Sequence, residues 1–326
     1  MSRKANKLQI IKNRLALQNW GEALAKRVEG RARPIRKPKV AHSDLCAVYP
    51  MGDPHFGMYA WAEEAGDDFD LKIAERSTRA AIDDLFASTP SAHTALLISV
   101  GDLIHSDTKQ NRTEASGHPL DVDTRWSRVM QVSLRMLVYW VEGALRKHRR
   151  VVVRLCEGNH DPQASYALAL ALSSYFRKER RVTVDLSPAN FWYFRFGKVL
   201  IGATHGHTCK TEKLPSIMAA DRPADWGATS FRVFFQGHLH HKFVKELWGC
   251  VVEVLRTLAA ADAWAHGHGY RSGREMQAIV YHKQFGERVR HTWPIQMMES
   301  QRSSGRSRIS NSRKAQSATK RAARSR

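Results

Sequence analysis

Five short stretches hold the side chains that could do chemistry. They are Asp53 and His55 in GDPHFG, Asp102 and His105 in GDLIHSD, Asn159 and His160 in GNHD, His205 and His207 in THGH, and His238 and His240 in GHLHH. Carboxylate, amide and imidazole groups are hard-to-borderline oxygen and nitrogen donors, a set that suits manganese, iron or zinc. The four cysteines form no Cys-x-x-Cys pair, which argues against a structural zinc knot. In Asp53-x-His55 and His238-x-His240, alternate residues of an extended turn share a face and present two donors together. Those two pairs, with Asp102, Asn159 and His205, exceed what one ion needs. A carboxylate can bridge, so the economical arrangement is two divalent ions about 3.5–4 Å apart, manganese foremost.

Such side chains need elements to hold them, and each stretch ends an apolar run. The runs are Leu45 to Met51, Thr94 to Val100, Val151 to Cys156, Lys198 to Thr204 and Phe231 to Gln236. They read as buried strands whose tips carry polar groups with no core to enter. Between the first three, Asp70 is expected to cap a helix with Leu71, Ala74, Ala81 and Leu85 on one face. A longer helix carries the stripe Trp126, Val129, Met130, Leu134, Leu137, Val141 and Leu145, and residues 162–179 read as a third. This β-α-β-α-β order predicts a largely parallel sheet with helices against it. After residue 181 short runs follow closely, with hairpin connections at Gly197 and Gly286. They predict a second, mainly antiparallel sheet packed on the first.

The 326 residues carry a formal charge of +21, unevenly spread. Residues 1–40 hold 12 Lys and Arg against 2 Asp and Glu, and residues 301–326 hold 9 against none. The stretch between is nearly neutral, which points to cationic ends that meet a polyanion. Residues 1–40 are expected to be a basic helical arm and linker, 41–298 the folded domain, and 299–326 a disordered Ser/Arg/Lys tail. Helical spacing over 6–28 fits either a nucleic-acid-binding arm or a helix packed on the core. Cys46 and Cys156 lie within strand runs as small hydrophobes, consistent with a reducing compartment. No stretch has the length of a spanning helix and the N-terminus has no apolar signal region, so the expectation is a cytoplasmic protein without a membrane partner.

In order, the five motifs resemble those of the calcineurin-like metallophosphoesterase superfamily: D-x-H, G-D, G-N-H-D/E, H and G-H-x-H. The resemblance covers Leu45 to His241 by motif and, by continuation, the strands that follow to about Pro294. It implies a four-layer αββα sandwich of the α/β class. It also implies that Asp53, His55 and His240 hold one ion, that Asn159, His205 and His238 hold the other, and that Asp102 bridges. His205 is preferred to His207. A hydroxide between the ions would attack phosphorus in line, and His160 would stabilise or protonate the departing oxygen.

Within the superfamily, GDLIH is similar to the G-D-L-F-H of the SbcD/Mre repair nucleases, and DPHFG to their D-x-H-L-G. That likeness implies that His105 supports His160, and that the substrate is DNA or RNA, met through the basic termini. The arginine of the phosphoprotein phosphatases is missing after Asp102. Lys109 and Arg112, in the polar stretch Asp107 to Asp123, are candidates for substrate contact. The segment with which the nuclease class grips an ATPase has no counterpart in the Ser/Arg/Lys stretch from Gln301. Two alternatives stand beside the nuclease: a phosphatase or phosphodiesterase on a small phosphoester or nucleotide, and a non-catalytic nucleic-acid-binding factor that retains a metal site.

Overall fold

The computed structural model describes Asn19 and residues 21–108, 110–113 and 117–298. Most of the helical arm, Lys109 and the C-terminal tail therefore lie outside the described residues. Helix α1 (residues 21–28) precedes β1 (His42–Met51), the short α2 (Ala62–Ala65), α3 (Leu71–Ser88) and β2 (Ala92–Ser99). Then come α4 (Trp126–Lys147), β3 (Arg150–Leu155), α5 (Ala164–Tyr175) and β4 (Val182–Val184).

β1, β2, β3 and β4 pair in parallel in that order. β2 and β3 are almost wholly buried, and β1 is buried from Cys46 onward, as strands covered on both faces must be. Asp70 caps α3, its carboxylate accepting from Ile73 N at 2.6 Å, and the expected faces of α3 and α4 are buried, with Trp126 only partly so. α5 is capped from a distance: the Asp107 carboxylate accepts from Gln163 N and Ala164 N, both at 2.9 Å.

The second half contains β5 (Trp192–Phe196), β6 (Val199–Thr204), α6 (Leu214–Asp221), α7 (Pro223–Ala228) and β7 (Phe231–Gln236). It continues with β8 (Phe243–Leu247), β9 (Cys250–Val254), α8 (Ala263–Gly267), β10 (Glu275–His282) and β11 (Gly286–Pro294). The hairpins at Gly197 and Gly286 form as expected, both glycines in left-handed backbone.

The second sheet differs from expectation. Its order is β5-β6-β7-β9-β8, and the central β6, β7 and β9 are parallel, with antiparallel strands only at the edges. The reason is that α6 and α7 form a crossover between β6 and β7, which returns the chain in the same direction. β4, β10 and β11 belong to the first sheet, where β10 and β11 extend its β1 side antiparallel.

The strands' two faces define the layers. Val48, Leu96, Ile98 and Val152 meet Ile201, Val233, Phe235 and Leu255 between the sheets. Alternate residues Ala47, Tyr49, Leu97 and Val153 pack outward under α3, α4 and α5. On the far side Leu200, Phe234 and Val252 pack under Leu214 and Met218 of α6. This is the αββα sandwich that the resemblance implies.

The stretch 30–40, expected as a linker, is tied at its start to the outer helices. Gly30 N and Ala32 N donate to Ser174 O and Tyr175 O, Arg181 holds Ile35 O, and Leu24, Val28 and Ile35 pack on the core. Among the described residues no helix is long and apolar enough to cross a membrane.

Candidate metal centre

Donors from β1, β2, β3, β6 and β7 leave the carboxyl ends of parallel strands and meet at one edge of the sandwich. After β1 the chain runs on beside the tip of β2: His55 N donates to Asp102 O, Phe56 N to Leu103 O and His105 N to Phe56 O, each at 3.0 Å. From the second sheet, Gly237 N donates to His205 O, and His238 N donates to the Asp53 carboxylate at 3.1–3.2 Å. Asp53, His55, Asp102, His238 and His240 all take left-handed backbone, with φ between 31° and 68°. Side chains beyond glycine rarely do so, and strain of this kind gathers where geometry serves function. Close approach also requires glycine: a Cβ on Gly158 would collide with Asp102 Oδ1, and one on Gly101 would press into the His205 ring.

Asp102 stands at the middle. Its Oδ1 accepts from His160 N at 2.8 Å. Its Oδ2 lies 3.2 Å from His205 Nε2, 3.9 Å from His55 Nε2 and 4.0 Å from His160 Nε2. Two sets of donor atoms, each mutually within 4.8 Å, share this residue: His55, Asp102 and His240, and Asp102, His205 and His238. His55 Nε2 and His240 Nε2 face each other at 3.1 Å. Asn159 Oδ1 joins the second set, 2.9 Å from His205 Nε2. Asp53 lies between the sets, its oxygens 3.9 Å from His240 Nε2 and 3.2 Å from His205 Nδ1. The seven residues expected as ligands are thus brought together. His207 stands one ring further out, its centroid 5.2 Å from that of His205. Arg112 closes a turn by donating to Gly117 O and, among the described residues, makes no hydrogen bond or ion pair with the seven.

The donor set fits divalent cations. Asp53 and Asp102 are buried to 0% and 1% exposure, and their ion-pair partners among the described residues are all histidines. Buried carboxylates so placed favour a bound cation. Burial raises the pKa of Asp102, but His205, His160 and His55 together hold it well below the usual carboxylate range. Burial and then the neighbouring His160 hold His55 well below 6.5, and burial with His205 lowers His238 to about 4. An ionised Asp102 beside neutral His55 and His238 is the state that metal binding demands. His205 Nδ1 lies 3.0 Å from Val100 O, so Nε2 faces Asn159 Oδ1 and Asp102 Oδ2. Without an ion a proton takes that place: burial disfavours the imidazolium, but Asp102 and Asp53 outweigh it and hold His205 well above 6.5.

His160 sits at the rim, its side chain 17% exposed. Its Nδ1 donates to the backbone carbonyl of His105 at 2.9 Å, which leaves Nε2 facing the site. His105 therefore positions His160 through its main chain. Its ring also stacks on that of His160, centroids 5.1 Å apart and planes at 25°, and meets His55, with the two Nδ1 atoms 3.2 Å apart.

Sequence reasoning gave no role to two further residues. Asp161 Oδ2 accepts from Leu103 N at 2.7 Å and Ile104 N at 3.3 Å, and Oδ1 accepts from Gly158 N at 3.1 Å, so it ties the second motif loop to the third. Its signal was the last letter of GNHD. Thr257, beyond β9, donates its hydroxyl to Asp53 O at 2.5 Å, and no local pattern marks it.

No protein family and no curated protein matches this chain. Solved structures align over most of it. One is a conserved uncharacterized protein from Streptococcus pneumoniae, described as a predicted phosphoesterase: 9% identity, 77% of this chain and 98% of that chain, TM-score 0.31. Another is Vps29 complexed with zinc from Entamoeba histolytica: 12% identity, 76% and 99%, TM-score 0.31. A third is vacuolar protein sorting 29 from Cryptosporidium parvum: 14% identity, 77% and 98%, TM-score 0.35. At these identities and scores the likeness carries no functional inference, which rests on the site itself.

Proposed function

We propose that this chain is a two-metal phosphoesterase that hydrolyses phosphodiester bonds, with nucleic acid as its substrate class. The observation that carries the reading is Asp102, whose Oδ2 stands 3.2 Å from a nitrogen of one donor set and 3.9 Å from a nitrogen of the other. Asp53, His55 and His240 would hold one ion and Asn159, His205 and His238 the other, with Asp102 shared. Two divalent ions bound there, manganese foremost, would supply positive charge for the phosphoryl oxygens and a water acidic enough to attack phosphorus.

The chain's own residues supply the rest. Donation from Nδ1 to His105 O fixes the His160 ring, so Nε2 can hold a proton and release it to the departing oxygen. Asp102 accepts from His160 N, which makes the proton donor and the shared ligand one rigid unit. Asp161 holds the loops of both in register.

Nucleic acid is favoured by the charge of +21, gathered in the terminal stretches, because phosphate neutralisation dominates affinity for a polyanion. The GDLIH stretch, similar to that of the repair nucleases, points the same way. The test is hydrolysis by metal-stripped protein refilled with Mn²⁺, on single-stranded DNA, duplex DNA, RNA and bis-p-nitrophenyl phosphate. Cleavage of a polynucleotide is expected. Turnover of the small diester alone would move the substrate to small phosphoesters or nucleotides. Silence on all four, with polynucleotide still bound, would leave a binding factor.

A further inference from the structure

An aromatic shelf lies where two segments leave the site. One segment follows Asp102 and His105 and contains His118; the other follows Thr257 and contains α8. Trp264 on α8 stacks on His268, with centroids 4.2 Å apart and planes at 28°, and on Tyr270 at 5.9 Å and 24°. His118 meets the indole edge-on at 5.5 Å, joining the two segments. These rings are not core: Trp264 is 47% exposed and Tyr270 53%. Thr257 touches Asp53, and the seven residues from there to Trp264 limit the shelf to about 25 Å from it.

The shelf also carries cations. Arg271 donates to His266 O and Tyr270 O, and Arg112 donates to Gly117 O in the segment of His118. Neither pairs with a carboxylate among the described residues. Near-parallel exposed rings beside guanidinium groups that backbone carbonyls hold in place, and no carboxylate among the described residues neutralises, complement a ligand with flat faces and negative charge. Carbohydrate would use the rings but not the charge, and an acidic peptide the reverse.

We infer that Trp264 and Tyr270 form a base-stacking site for single-stranded nucleic acid that leads the strand toward the metal centre. This rests on the phosphodiesterase reading, and it adds single strands and a binding surface. Stacking on an aromatic side chain is worth about 1–3 kcal/mol per base, which corresponds to roughly five- to 150-fold in affinity.

The test is binding by the full chain in EDTA, where no turnover intervenes, followed by fluorescence anisotropy of labelled (dT)20, (U)20 and an abasic deoxyribose-phosphate polymer of equal length. Trp264→Ala should weaken (dT)20 or (U)20 by roughly five- to 150-fold and leave the abasic polymer unaffected. Trp264→Phe should recover most of the loss. Should Trp264→Ala fail to fold, Tyr270→Ala carries the same comparison at a more exposed ring. Unchanged (dT)20 and (U)20 binding in the variants would overturn the inference, as would an equal loss on the abasic polymer. The preference between (dT)20 and (U)20 separates DNA from RNA. A wild type that stacks bases yet hydrolyses no diester would sink the hydrolytic reading and leave the shelf standing.

Discussion

At the scale of single residues, the centre is built from groups held in backbone that side chains avoid. Five of the seven ligand candidates have positive φ, and each such residue costs about 1–3 kcal/mol that the packed sheets must hold in place. His160 and His105 illustrate how neighbours divide the work. His160→Ala removes the proton donor of the proposed reaction, so turnover should fall roughly 100-fold or more while Mn²⁺ affinity stays near wild type. His105→Ala keeps the carbonyl that orients His160 but removes the ring that meets His55 and stacks on His160, so it should cost roughly 10- to 100-fold in Mn²⁺ affinity, by the usual cost of a missing outer-shell partner, with a smaller loss of turnover than His160→Ala. Calorimetric titration beside steady-state kinetics separates the two. The reverse pattern would mean that their roles are exchanged.

At the scale of elements, the turn between α4 and β3 gives the fold a pH dependence apart from the metal centre. His148 is buried there, Nε2 2.9 Å from Tyr49 Oη and Nδ1 2.8 Å from Ala92 O, and burial lowers it to about 4. The unfolded chain binds this proton at about 6.5 and the folded one does not. Stability from this group is therefore present above pH 6.5 and is lost as pH falls toward 4. The urea-unfolding free energy of wild type should drop between pH 8 and pH 5 by about 2 kcal/mol more than that of His148→Gln. Equal drops would show that His148 protonates freely in the folded state.

The elements also show what was legible in the sequence. The strand tips were, because a buried run that ends abruptly in Asp, Asn or His has few other uses. So were α3 and α4, whose apolar stripes recur over several turns behind a capping Asp70 or an evident turn. The direction of β6, β7 and β9 was not, because α6 is short and mostly apolar, with no clear amphipathic stripe to announce a crossover. Nor was the place of β10 and β11, since pairing with β1 spans most of the chain and leaves no local mark. The contacts of Thr257 with Asp53 and of His105 with His55 were hidden for the same reason: both exist only after folding.

At the scale of the whole molecule, the centre is divided between two sheets. Asp53, His55, Asp102 and Asn159 come from the first, and His205, His238 and His240 from the second. Under the proposed function the cationic terminal stretches would add a separate, long-range component to polynucleotide binding. The structure holds 21–35 against the outer helices, so the test of that component is deletion of residues 1–18 and 301–326, not of the first forty. That truncation should flatten the dependence of polynucleotide affinity on salt while leaving turnover of bis-p-nitrophenyl phosphate intact. An unchanged slope would place the binding on the sandwich.

The central claim is that Asp102 serves two ions at once. Titration of Mn²⁺ into metal-stripped protein, wild type beside Asp102→Ala, tests it most directly when bis-p-nitrophenyl phosphate turnover is measured on the same samples. The account predicts two ions per chain in wild type, with both sites weakened and turnover abolished in Asp102→Ala. A single ion in wild type, or a variant that binds two ions tightly and still turns over, would contradict it.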